Sequence, residues 1–386
     1  MKIAIIAGYA RSLVTFRGAL IEQLAEMGHE VIALAPPDDA QEDVLARLGV
    51  RLIPIRLARG GMDPYADWRL ERQICQILGR ERVSVTLAYT IKPIVYGLPA
   101  ADSAQVPGRY ALVTGLGSAF HTRGIKGYVL RRVASILYTR AFRCASGVMV
   151  QNADIALFLR RRRMVQPQVP ITIVPGSGVD LRRFAVSPIL DRHANFVVLA
   201  RWLRDKGIDE FVQAARIVKR RIPHAVFRVF GMADQNPSAI PDHLVQRWNA
   251  EGVVKFCPAV DDVRPLLAES TACVLPSYHE GMPRALLEAM AVGRPIVTTD
   301  VIGCREVVPD AGPPDGHRIR CGSNGYLVPV RTVEPLATAM LRIGNDRELA
   351  TAMGTAGRRL AETKFDVKKV NEAMLHAMHL LPTNRC

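Results

Sequence analysis

The sequence predicts an α/β protein built from two doubly wound, Rossmann-like domains, each with a parallel sheet. Three observations predict this class. Short apolar runs alternate with amphipathic helical segments from the first residues onward. The same rhythm starts again halfway along the chain, and a segment rich in glycine and proline at 175–180 separates the two blocks. The length of 386 residues suits two domains of ordinary size.

The amino-terminal block opens with a strand, a helix and a second strand. Residues 2–7 form a continuous apolar run, which is typical of a strand buried on both faces. Gly8 ends the run, and residues 16–27 then carry apolar side chains at helical spacing. A second apolar run at 31–35 completes a βαβ unit, so parallel pairing is expected. Further strands are predicted at 51–55, 83–88, 110–113, 147–150 and 171–174.

The carboxy-terminal block repeats this order. We place an amino-terminal domain at 1–175 and a carboxy-terminal domain at 176–365, with the hinge near 175–180. The last stretch, 367–381, has a helical pattern, and we expect residues 366–386 to pack back on the first domain. Predicted strands of the second block are 195–200, 226–230, 254–256, 272–276, 295–299 and 325–328, with helices at 208–219, 263–269 and 283–292.

The composition excludes several classes of protein. No apolar stretch approaches the roughly 20 residues of a membrane-spanning helix, and the first apolar run is too short for a signal peptide. Seven cysteines without a Cys-x-x-Cys pair argue against a zinc site or a disulfide framework, and favour a reducing compartment. Lys and Arg number 51 against 36 Asp and Glu, and this net charge of +15 indicates anionic partners.

The turn after the predicted strand 195–200 carries two cations, Arg201 and Lys206. Ligands of open parallel sheets bind beyond the carboxyl ends of the strands. A guanidinium and an ammonium at the start of a helix suit a diphosphate, because the helix amino terminus adds to the attraction for anions. A solvated basic turn is the alternative interpretation of the same residues.

Two acids follow the predicted strand 272–276. Glu280 precedes a predicted helix that starts at Pro283, and Glu288 lies inside this helix among apolar residues, where a carboxylate needs a partner. Their separation places them on different parts of one extended ligand, and Gly281 permits close approach of the backbone to a sugar ring. A capping acid and an ordinary helix-face acid are the alternative.

Two glycine-containing turns mark the amino-terminal block. Gly8 and Ser12 follow the first strand, and Thr114 and Gly115 follow the predicted strand 110–113. Each turn lets the backbone approach a ligand, but neither contains a complete Gly-x-Gly-x-x-Gly fingerprint. His121, after the second turn, is a candidate for proton transfer or acceptor binding, or a polar loop residue.

The positive charge is concentrated between residues 109 and 163, where eleven Lys and Arg face one acid. Apolar residues interleave with the arginines over 123–143, and four arginines stand at 160–163. A basic amphipathic helix of this kind binds an anionic membrane surface; a core-facing helix with a solvated basic edge is the alternative. Nucleic acid is not expected as a partner, because no nucleic-acid-binding motif accompanies the charge.

In combination, these residues resemble a known family. The chain resembles, over nearly its whole length, the retaining glycosyltransferases of family 4, which have the two-domain GT-B architecture. Its amino half resembles a narrower branch, which builds lipid-linked oligosaccharides on polyprenyl diphosphate and includes N-acetylgalactosaminyltransferases acting on undecaprenyl-diphosphate-linked bacillosamine. The matching stretches are Arg201, Lys206-Gly207, Glu280-Gly281-Met282-Pro283, Glu288 and 174–180, with 16–18, 90–93 and 114–117 in the amino half.

The resemblance implies a role for each matching residue. Arg201 and Lys206 would bind the diphosphate of a UDP-sugar, and Glu288 would bind the ribose hydroxyls. It also implies a metal-independent reaction that needs no cofactor beyond the UDP-sugar, with the acceptor attacking from the front face. Glu280 and the backbone of Gly281, Met282 and Pro283 would hold the sugar, Val260 and Gly8 would complete the donor site, and Ser12, Arg17, Thr90, Lys92, Thr114, Gly115 and His121 would line the acceptor side.

The expected function is therefore transfer of a hexose or N-acetylhexosamine, with N-acetylgalactosamine favoured, to a polyprenyl-diphosphate-linked sugar. We expect the enzyme in the cytoplasm, bound peripherally to the inner face of the plasma membrane. Three alternatives stay open at this point. They are the same fold acting on a soluble acceptor, a sugar-nucleotide epimerase, and a non-catalytic protein that binds anionic ligands.

Overall fold

The structure is a computed structural model that describes residues 1–58, 63–115, 120, 124–190, 193–234, 236 and 238–381, without the side chains of 125 and 126. Its contacts divide the chain into two compact units. The amino-terminal unit comprises Met1–Ser177 and Lys368–Cys386, and the carboxy-terminal unit comprises Gly178–Val367. Each unit is described by itself below.

The amino-terminal unit contains a seven-stranded sheet within its described residues, and all pairs of neighbouring strands are parallel. Its strands are β1 (Lys2–Ile6), β2 (Glu30–Ala35), β3 (Arg51–Pro54), β4 (Val85–Tyr89), β5 (Gly108–Val113), β6 (Gly147–Val150) and β7 (Ile171–Ile173), in the order β3-β2-β1-β4-β5-β6-β7. Its helices, apart from the last of the chain, are α1 (Arg11–Glu26), α2 (Asp39–Arg47), α3 (Pro64–Arg80), α4 (Ile91–Ser103), α5 (Gly124–Arg143) and α6 (Ala153–Arg161).

The first strand shows why its sequence is apolar throughout. Ile3 and Ile5 belong to one hydrophobic cluster, whereas Ala4 and Ile6 belong to another. Successive side chains of a strand point to opposite faces of the sheet, so both faces of β1 are covered by helices. All four residues are fully buried. The unbroken apolar run therefore reflects a central strand of a two-sided parallel sheet.

The carboxy-terminal unit contains a second seven-stranded sheet within its described residues, with the order β10-β9-β8-β11-β12-β14-β13. Here β13 pairs antiparallel with β14, and the other pairs are parallel. The strands are β8 (Asn195–Leu199), β9 (Val226–Gly231), β10 (Lys255–Pro258), β11 (Ala272–Leu275), β12 (Ile296–Thr299), β13 (Arg320–Gly322) and β14 (Gly325–Val328). The helices are α7 (Ile208–Arg221), α8 (Asp242–Ala250), α9 (Arg264–Glu269), α10 (Arg284–Val292), α11 (Glu334–Asn345) and α12 (Arg347–Leu360).

The last helix, α13 (Val367–Ala377), returns to the amino-terminal unit. Its residues Val370, Met374 and Leu375 are fully buried in the same cluster as Ile3 and Ile5. The expected return of the last helix to the first domain is thereby confirmed. This helix covers apolar surface that would otherwise be open to water, so the unit needs both ends of the chain.

Several predicted boundaries differ from the structure. The helix predicted from residue 16 begins at Arg11, and the last helix ends at Ala377 rather than at 381. Pro283 was expected at the first helical position, but α10 begins at Arg284, and Pro283 precedes it with an extended backbone (φ −79°, ψ 91°). Its ring thus fixes the entry into the helix and leaves the first turn to Arg284.

Helix α5 has one buried and one exposed side. Tyr138, Ala141 and Phe142 are fully buried against the sheet. The other side, here called the basic face of α5, exposes apolar and positively charged residues together. The basic face consists of Tyr128, Val129, Arg132, Ile136 and Arg143, of which Tyr128, Val129 and Ile136 are 59%, 53% and 64% exposed.

None of the described helices combines the length and mean hydropathy that crossing a bilayer requires.

A buried arginine joins helix α9 to the segment 187–188 of the carboxy-terminal unit. Arg294 is fully buried, and its guanidinium donates to the carbonyls of Leu267, Ala268, Ser187 and Pro188 at 2.8–3.1 Å. Burial lowers its pKa to about 10, so the group stays charged at neutral pH. Only a planar group with five donors satisfies so many carbonyls at once.

Replacing Arg294 by lysine should destabilise the carboxy-terminal unit. The ammonium keeps the charge but cannot reach all four carbonyls, and buried acceptors left without donors cost free energy. We expect the free energy of unfolding to fall by about 3 kcal/mol in chemical denaturation. Arg359→Lys, on the exposed surface of α12, is the matched control and should leave the unfolding curve unchanged. Equal curves for both variants would contradict this role of Arg294.

Candidate active site

The predicted donor residues leave the sheet of the carboxy-terminal unit at one edge. Strand β11 pairs in parallel with β8, with Ala272 opposite Phe196. The segments that follow these two strands therefore emerge side by side at their carboxyl ends, where parallel sheets bind ligands. The first of them is here called the 201–207 turn, and the second the 277–283 loop.

An ion pair joins the turn and the loop. Lys206 Nζ lies 2.6 Å from Glu280 Oε1, and the same oxygen accepts a hydrogen bond of 2.7 Å from Ser277 Oγ. The side chains of Lys206 and Glu280 are only 21% and 13% exposed. Partial burial strengthens the attraction, because water screens it less than on the open surface. The structure thus brings together two of the three predicted catalytic residues.

Further hydrogen bonds and a close backbone contact hold the 201–207 turn and the 277–283 loop together. Tyr278 N donates to Asp205 O at 2.8 Å, and the Tyr278 hydroxyl donates to Glu210 Oε1 at 2.7 Å. Gly207 adopts a left-handed conformation (φ +70°) against the end of β11. A Cβ atom at this position would overlap the carbonyl oxygen of Pro276, so only glycine allows the turn to lie so close.

A second glycine supports the loop from behind. Gly303 has a φ of +84°, and a Cβ atom there would lie 2.5 Å from the carbonyl oxygens of both Glu280 and Gly281. A real Cβ atom does not approach an oxygen so closely, so a larger residue would displace the backbone that carries Glu280. Gly303 was not singled out from the sequence.

The thiol beside this glycine is not a nucleophile at neutral pH. Cys304 is fully buried, and burial, reinforced by the nearby Glu280 charge, raises the pKa of its thiol to about 12. Only the thiolate is reactive, and it is essentially absent at pH 7. Burial likewise raises the pKa of Cys273, in β11, to about 12.

The remaining predicted donor residues lie around the same edge of the sheet. Arg201 Nη1 lies 2.5 Å from Asp234 Oδ2, and the Arg201 side chain is half exposed. Glu288 Oε1 accepts a bond of 2.7 Å from Arg284 Nε one helical turn earlier, which supplies the partner that a carboxylate on this apolar helix needs. Met282 is partly buried, and Val260, in the loop after β10, is 37% exposed.

In the amino-terminal unit, Ser12 and Arg17 belong to a buried polar cluster around Tyr89. Ser12 Oγ lies 2.7 Å from the Tyr89 hydroxyl. The Arg17 guanidinium stands 5.4 Å from the centre of the Tyr89 ring, and its Nη1 donates to Met374 Sδ at 3.8 Å. Burial raises the pKa of Tyr89 far above its usual value, so this hydroxyl stays protonated.

Thr90 has a strained backbone directly after β4. Its φ of 69° and ψ of 167° belong to a region that only glycine adopts without cost. A Cβ atom on Gly8, after the neighbouring strand β1, would lie 3.0 Å from Thr90 Oγ1. Two predicted site residues are therefore adjacent, and one of them is strained, a combination that is frequent at functional sites.

Lys92 lies in a partly buried ion pair. Its Nζ is 2.9 Å from Asp67 Oδ1, and the Tyr96 hydroxyl donates to Asp67 Oδ2 at 2.7 Å. Burial, together with the bond to this carboxylate, raises the pKa of Tyr96 above its usual range. Thr114 and Gly115 follow β5 at the same edge of the sheet as Gly8 and Thr90. His121 lies outside the described residues.

Comparison with protein-family models shows to which family the chain belongs. The model "Glycosyl transferase 4-like domain" matches residues 13–177, and the model "Glycosyl transferases group 1" matches residues 193–346. The two matches together span more than four fifths of the chain. The chain is a glycosyltransferase of this family. The resemblance noted from Lys206 and Glu280 is thereby confirmed at the level of the family.

Two curated relatives of this glycosyltransferase are named for transfer to undecaprenyl-diphosphate-linked sugars. It is 28% identical to N,N'-diacetylbacillosaminyl-diphospho-undecaprenol alpha-1,3-N-acetylgalactosaminyltransferase of Campylobacter jejuni over 81% of this chain and 84% of the relative. It is 23% identical to UDP-Gal:alpha-D-GlcNAc-diphosphoundecaprenol alpha-1,3-galactosyltransferase of Escherichia coli over 77% of this chain and 76% of that relative.

Solved structures confirm the expected two-domain GT-B fold. The Anabaena protein HepE, crystallised with UDP and glucose, superposes with a TM-score of 0.79 at 18% identity, over 99% of this chain and all of the other. Sucrose-phosphate synthase from Thermosynechococcus elongatus superposes with a TM-score of 0.78, also at 18% identity, over 98% of each chain. At this identity the comparison establishes the fold alone.

Replacing Gly303 by alanine should impair the glycosyltransferase without unfolding it. The added methyl group displaces the carbonyls of Glu280 and Gly281, and a shift of about 1 Å in such a site lowers turnover by about 100-fold. Donor turnover and the thermal midpoint of unfolding are the two measurements. Gly252→Ala is the control, because Gly252 also has a positive φ (+70°) but a Cβ atom there meets no neighbour within 4 Å. Full activity of the Gly303 variant would show that the loop position is not critical.

Proposed function

We propose that this glycosyltransferase moves a hexose or N-acetylhexosamine, with N-acetylgalactosamine favoured, from a UDP-sugar to a polyprenyl-diphosphate-linked sugar, with retention of the anomeric configuration. The activities for which the Campylobacter jejuni and Escherichia coli relatives are named support the acceptor class. The complex of the similarly folded HepE with UDP and glucose supports the donor class. N-acetylgalactosamine is favoured because the first of these relatives transfers it.

The observation that carries the proposal is the ion pair between Lys206 and Glu280 at the carboxyl ends of β8 and β11. Breaking the bond between sugar and UDP places negative charge on the departing diphosphate, and a preplaced ammonium stabilises that charge. Glu280, which Ser277 also holds, then contacts hydroxyls of the sugar. Because the pair is partly buried, its geometry is fixed before the donor arrives.

The neighbouring residues complete the proposed donor site in the carboxy-terminal domain, for which we propose the limits 176–365. Arg201 adds a second cation for the diphosphate, and Glu288 accepts hydrogen bonds from the ribose hydroxyls. The reaction then requires no metal ion, because the two cations neutralise the leaving group. The backbone of Gly281, Met282 and Pro283 holds the sugar, and Val260 binds another part of the donor. Gly8, which belongs to the amino-terminal domain, is also proposed to bind the donor.

We assign the acceptor to the amino-terminal domain, 1–175 with 366–386, and the hinge to 175–180. The strained Thr90 beside Gly8, and the polar pairs formed by Ser12 and Lys92, support this assignment. The acceptor hydroxyl attacks on the face from which UDP departs, which retains the anomeric configuration without a covalent sugar–enzyme intermediate. Arg17, Thr114, Gly115 and His121 complete the proposed acceptor residues.

We also propose that the enzyme works bound to the inner face of the plasma membrane. The basic face of α5 places exposed Tyr128, Val129 and Ile136 beside Arg132 and Arg143. Apolar and cationic side chains on one exposed helix face suit the boundary between lipid headgroups and acyl chains. Arginines 161–163, at the end of α6, add to the positive charge, and Arg162 lines the same cavity as Arg132 and Arg143.

Removing the ammonium of Lys206 should abolish most of the transfer. We expect Lys206→Ala to lower kcat by about 100- to 1000-fold, the usual loss when one preplaced group is removed from a developing charge. The measurement is transfer from UDP-N-acetylgalactosamine to a polyprenyl-diphosphate-linked sugar.

The matched control for this variant lies in the same turn. Arg204 pairs with Asp209 at 2.9 Å, whereas Lys206 pairs with Glu280, so Arg204→Ala should keep most of the activity. Thermal unfolding of both variants separates lost chemistry from lost stability. Full turnover by a folded Lys206 variant would eliminate this active site.

Neutralising the basic face of α5 should weaken membrane binding. Each basic residue near an anionic surface contributes about 1 kcal/mol, so Arg132→Gln with Arg143→Gln should reduce the affinity for phosphatidylglycerol vesicles by about 30-fold. Sedimentation with vesicles at low and high salt measures the effect, which should shrink as salt screens the charges.

The control for vesicle binding carries the same change in net charge. Arg182 and Arg359 are exposed in the carboxy-terminal unit, far along the chain from α5. Arg182→Gln with Arg359→Gln should leave vesicle binding unchanged. Equal binding by both double variants and the unaltered enzyme would refute the docking surface and favour a soluble acceptor.

A further inference from the structure

The carboxy-terminal unit contains a cavity that the proposed reaction does not use. It has a volume of about 640 Å³ and lies between α7 and α11, which pack against each other, beside the segment 316–318. This volume falls within the range of small-molecule binding sites. None of the proposed donor or acceptor residues lines it. It is here called the arginine pocket.

Positive charge dominates the arginine pocket. Arg216, Arg220, Arg318 and Arg331 all line it. Arg216 is paired with Glu251 at 2.6 Å, whereas the other three form no ion pair of 4 Å or less with the described residues. The lining contains a single acid, Glu334. Like charges gathered around one cavity repel each other, so an anion bound among them relieves an unfavourable interaction.

The backbone at two of these arginines is unusual. Arg318 and Arg331 both have left-handed conformations, with φ values of 63° and 59°. A residue other than glycine pays for this conformation, since its Cβ atom crowds the backbone. The two residues stand on separate segments, before β13 and after β14, and both line the same cavity. Strain of this kind is frequent where side chains are held ready for a ligand.

One side of the pocket is in contact with the 277–283 loop. The guanidinium of Arg331 stands 4.5 Å from the centre of the Tyr278 ring. Tyr278 in turn forms hydrogen bonds to Asp205, which precedes Lys206, and to Glu210, which lies in the first turn of α7. The aromatic contact positions the cation, so Arg331 is held in place before any ligand binds.

The surroundings of the pocket favour a soluble ligand over a membrane surface. The basic face of α5 exposes Tyr128, Val129 and Ile136 beside its arginines. The exposed large hydrophobic side chains among the described residues include none that lines the arginine pocket. The arginine pocket therefore cannot gain affinity by burying apolar side chains among lipid acyl chains, and its affinity for a ligand comes mainly from charge.

We propose that the arginine pocket binds a small, soluble phosphorylated anion at a site separate from the donor site. Guanidinium groups match phosphate oxygens in geometry and form paired, charge-assisted hydrogen bonds with them. Arg220, Arg318 and Arg331 supply these donors, and the cavity has room for the rest of a sugar phosphate or a nucleotide. Through Arg331 and Tyr278, the ligand lies two contacts away from the turn that carries Lys206.

The test uses inorganic pyrophosphate as the probe and isothermal titration calorimetry as the measurement. Arg220→Gln with Arg318→Asn removes two positive charges from the pocket, and asparagine tolerates the left-handed conformation of position 318. This double variant is compared with the unaltered enzyme, with Lys206→Ala and with the combination of all three changes. Arg182→Gln with Arg359→Gln is the control for net charge.

We expect two classes of pyrophosphate site in the unaltered enzyme. Lys206→Ala should remove one of them, and the pocket variant should weaken the other by at least about 30-fold, as expected for two lost charge-assisted contacts. Pyrophosphate binding that is the same with and without the pocket substitutions, in the Lys206→Ala background, would overturn the proposal. Loss of binding in the net-charge control as well would overturn it too. The proposed function is tested separately by the transfer assay with Lys206→Ala, whose outcome does not depend on ligand binding in the arginine pocket.

Discussion

The candidate active site depends on one ion pair between segments 74 residues apart in sequence, Lys206 with Glu280 at 2.6 Å. The pair forms because β8 and β11 are neighbours in the sheet, so that the segments after them emerge together. Glycines at 207 and 303 then let backbone approach backbone where a side chain would not fit. The ion pair therefore requires the parallel pairing of β8 with β11, the close approach of the backbone at the two glycines, and the opposite charges. Loss of any one of these would separate Lys206 from Glu280.

Several contacts hold Lys206 and Glu280 in fixed positions, and fixed charges stabilise a transition state more effectively than mobile ones. A cation stabilises a departing diphosphate best when it does not have to move into position during the reaction. Ser277 holds the same Glu280 oxygen as Lys206, and Tyr278 joins the loop to Asp205 and Glu210. The amino-terminal unit shows the complementary feature, since Thr90 accepts a strained backbone beside Gly8. In both units the residues proposed for function are positioned at some cost to local freedom.

Periodicity and residue type predicted the fold well, but contacts at close range required coordinates. The unbroken apolar run of β1 predicts a two-sided sheet, and Ile3 and Ala4 indeed lie in different clusters. The approximate limits of the helix that follows Glu280 could also be read from the sequence, although Pro283 precedes it rather than starting it. Nothing in the sequence indicates that Gly303 touches the Glu280 backbone, because this contact joins segments on neighbouring strands. Ser277 offered a local signal that the sequence analysis did not use, since it is a polar residue shortly after a buried strand.

Two surfaces of the chain that are rich in arginine differ in their chemistry. On α5 the arginines alternate with exposed apolar residues such as Ile136, so the proposed membrane contact combines electrostatic attraction with burial of apolar surface. In the arginine pocket, Arg318 and Arg331 have no such neighbours, and their positions depend instead on backbone conformation and on the Tyr278 ring. Net charge alone therefore does not identify a ligand. What surrounds each guanidinium decides whether it attracts a lipid surface or a soluble phosphate, and this chain contains both arrangements.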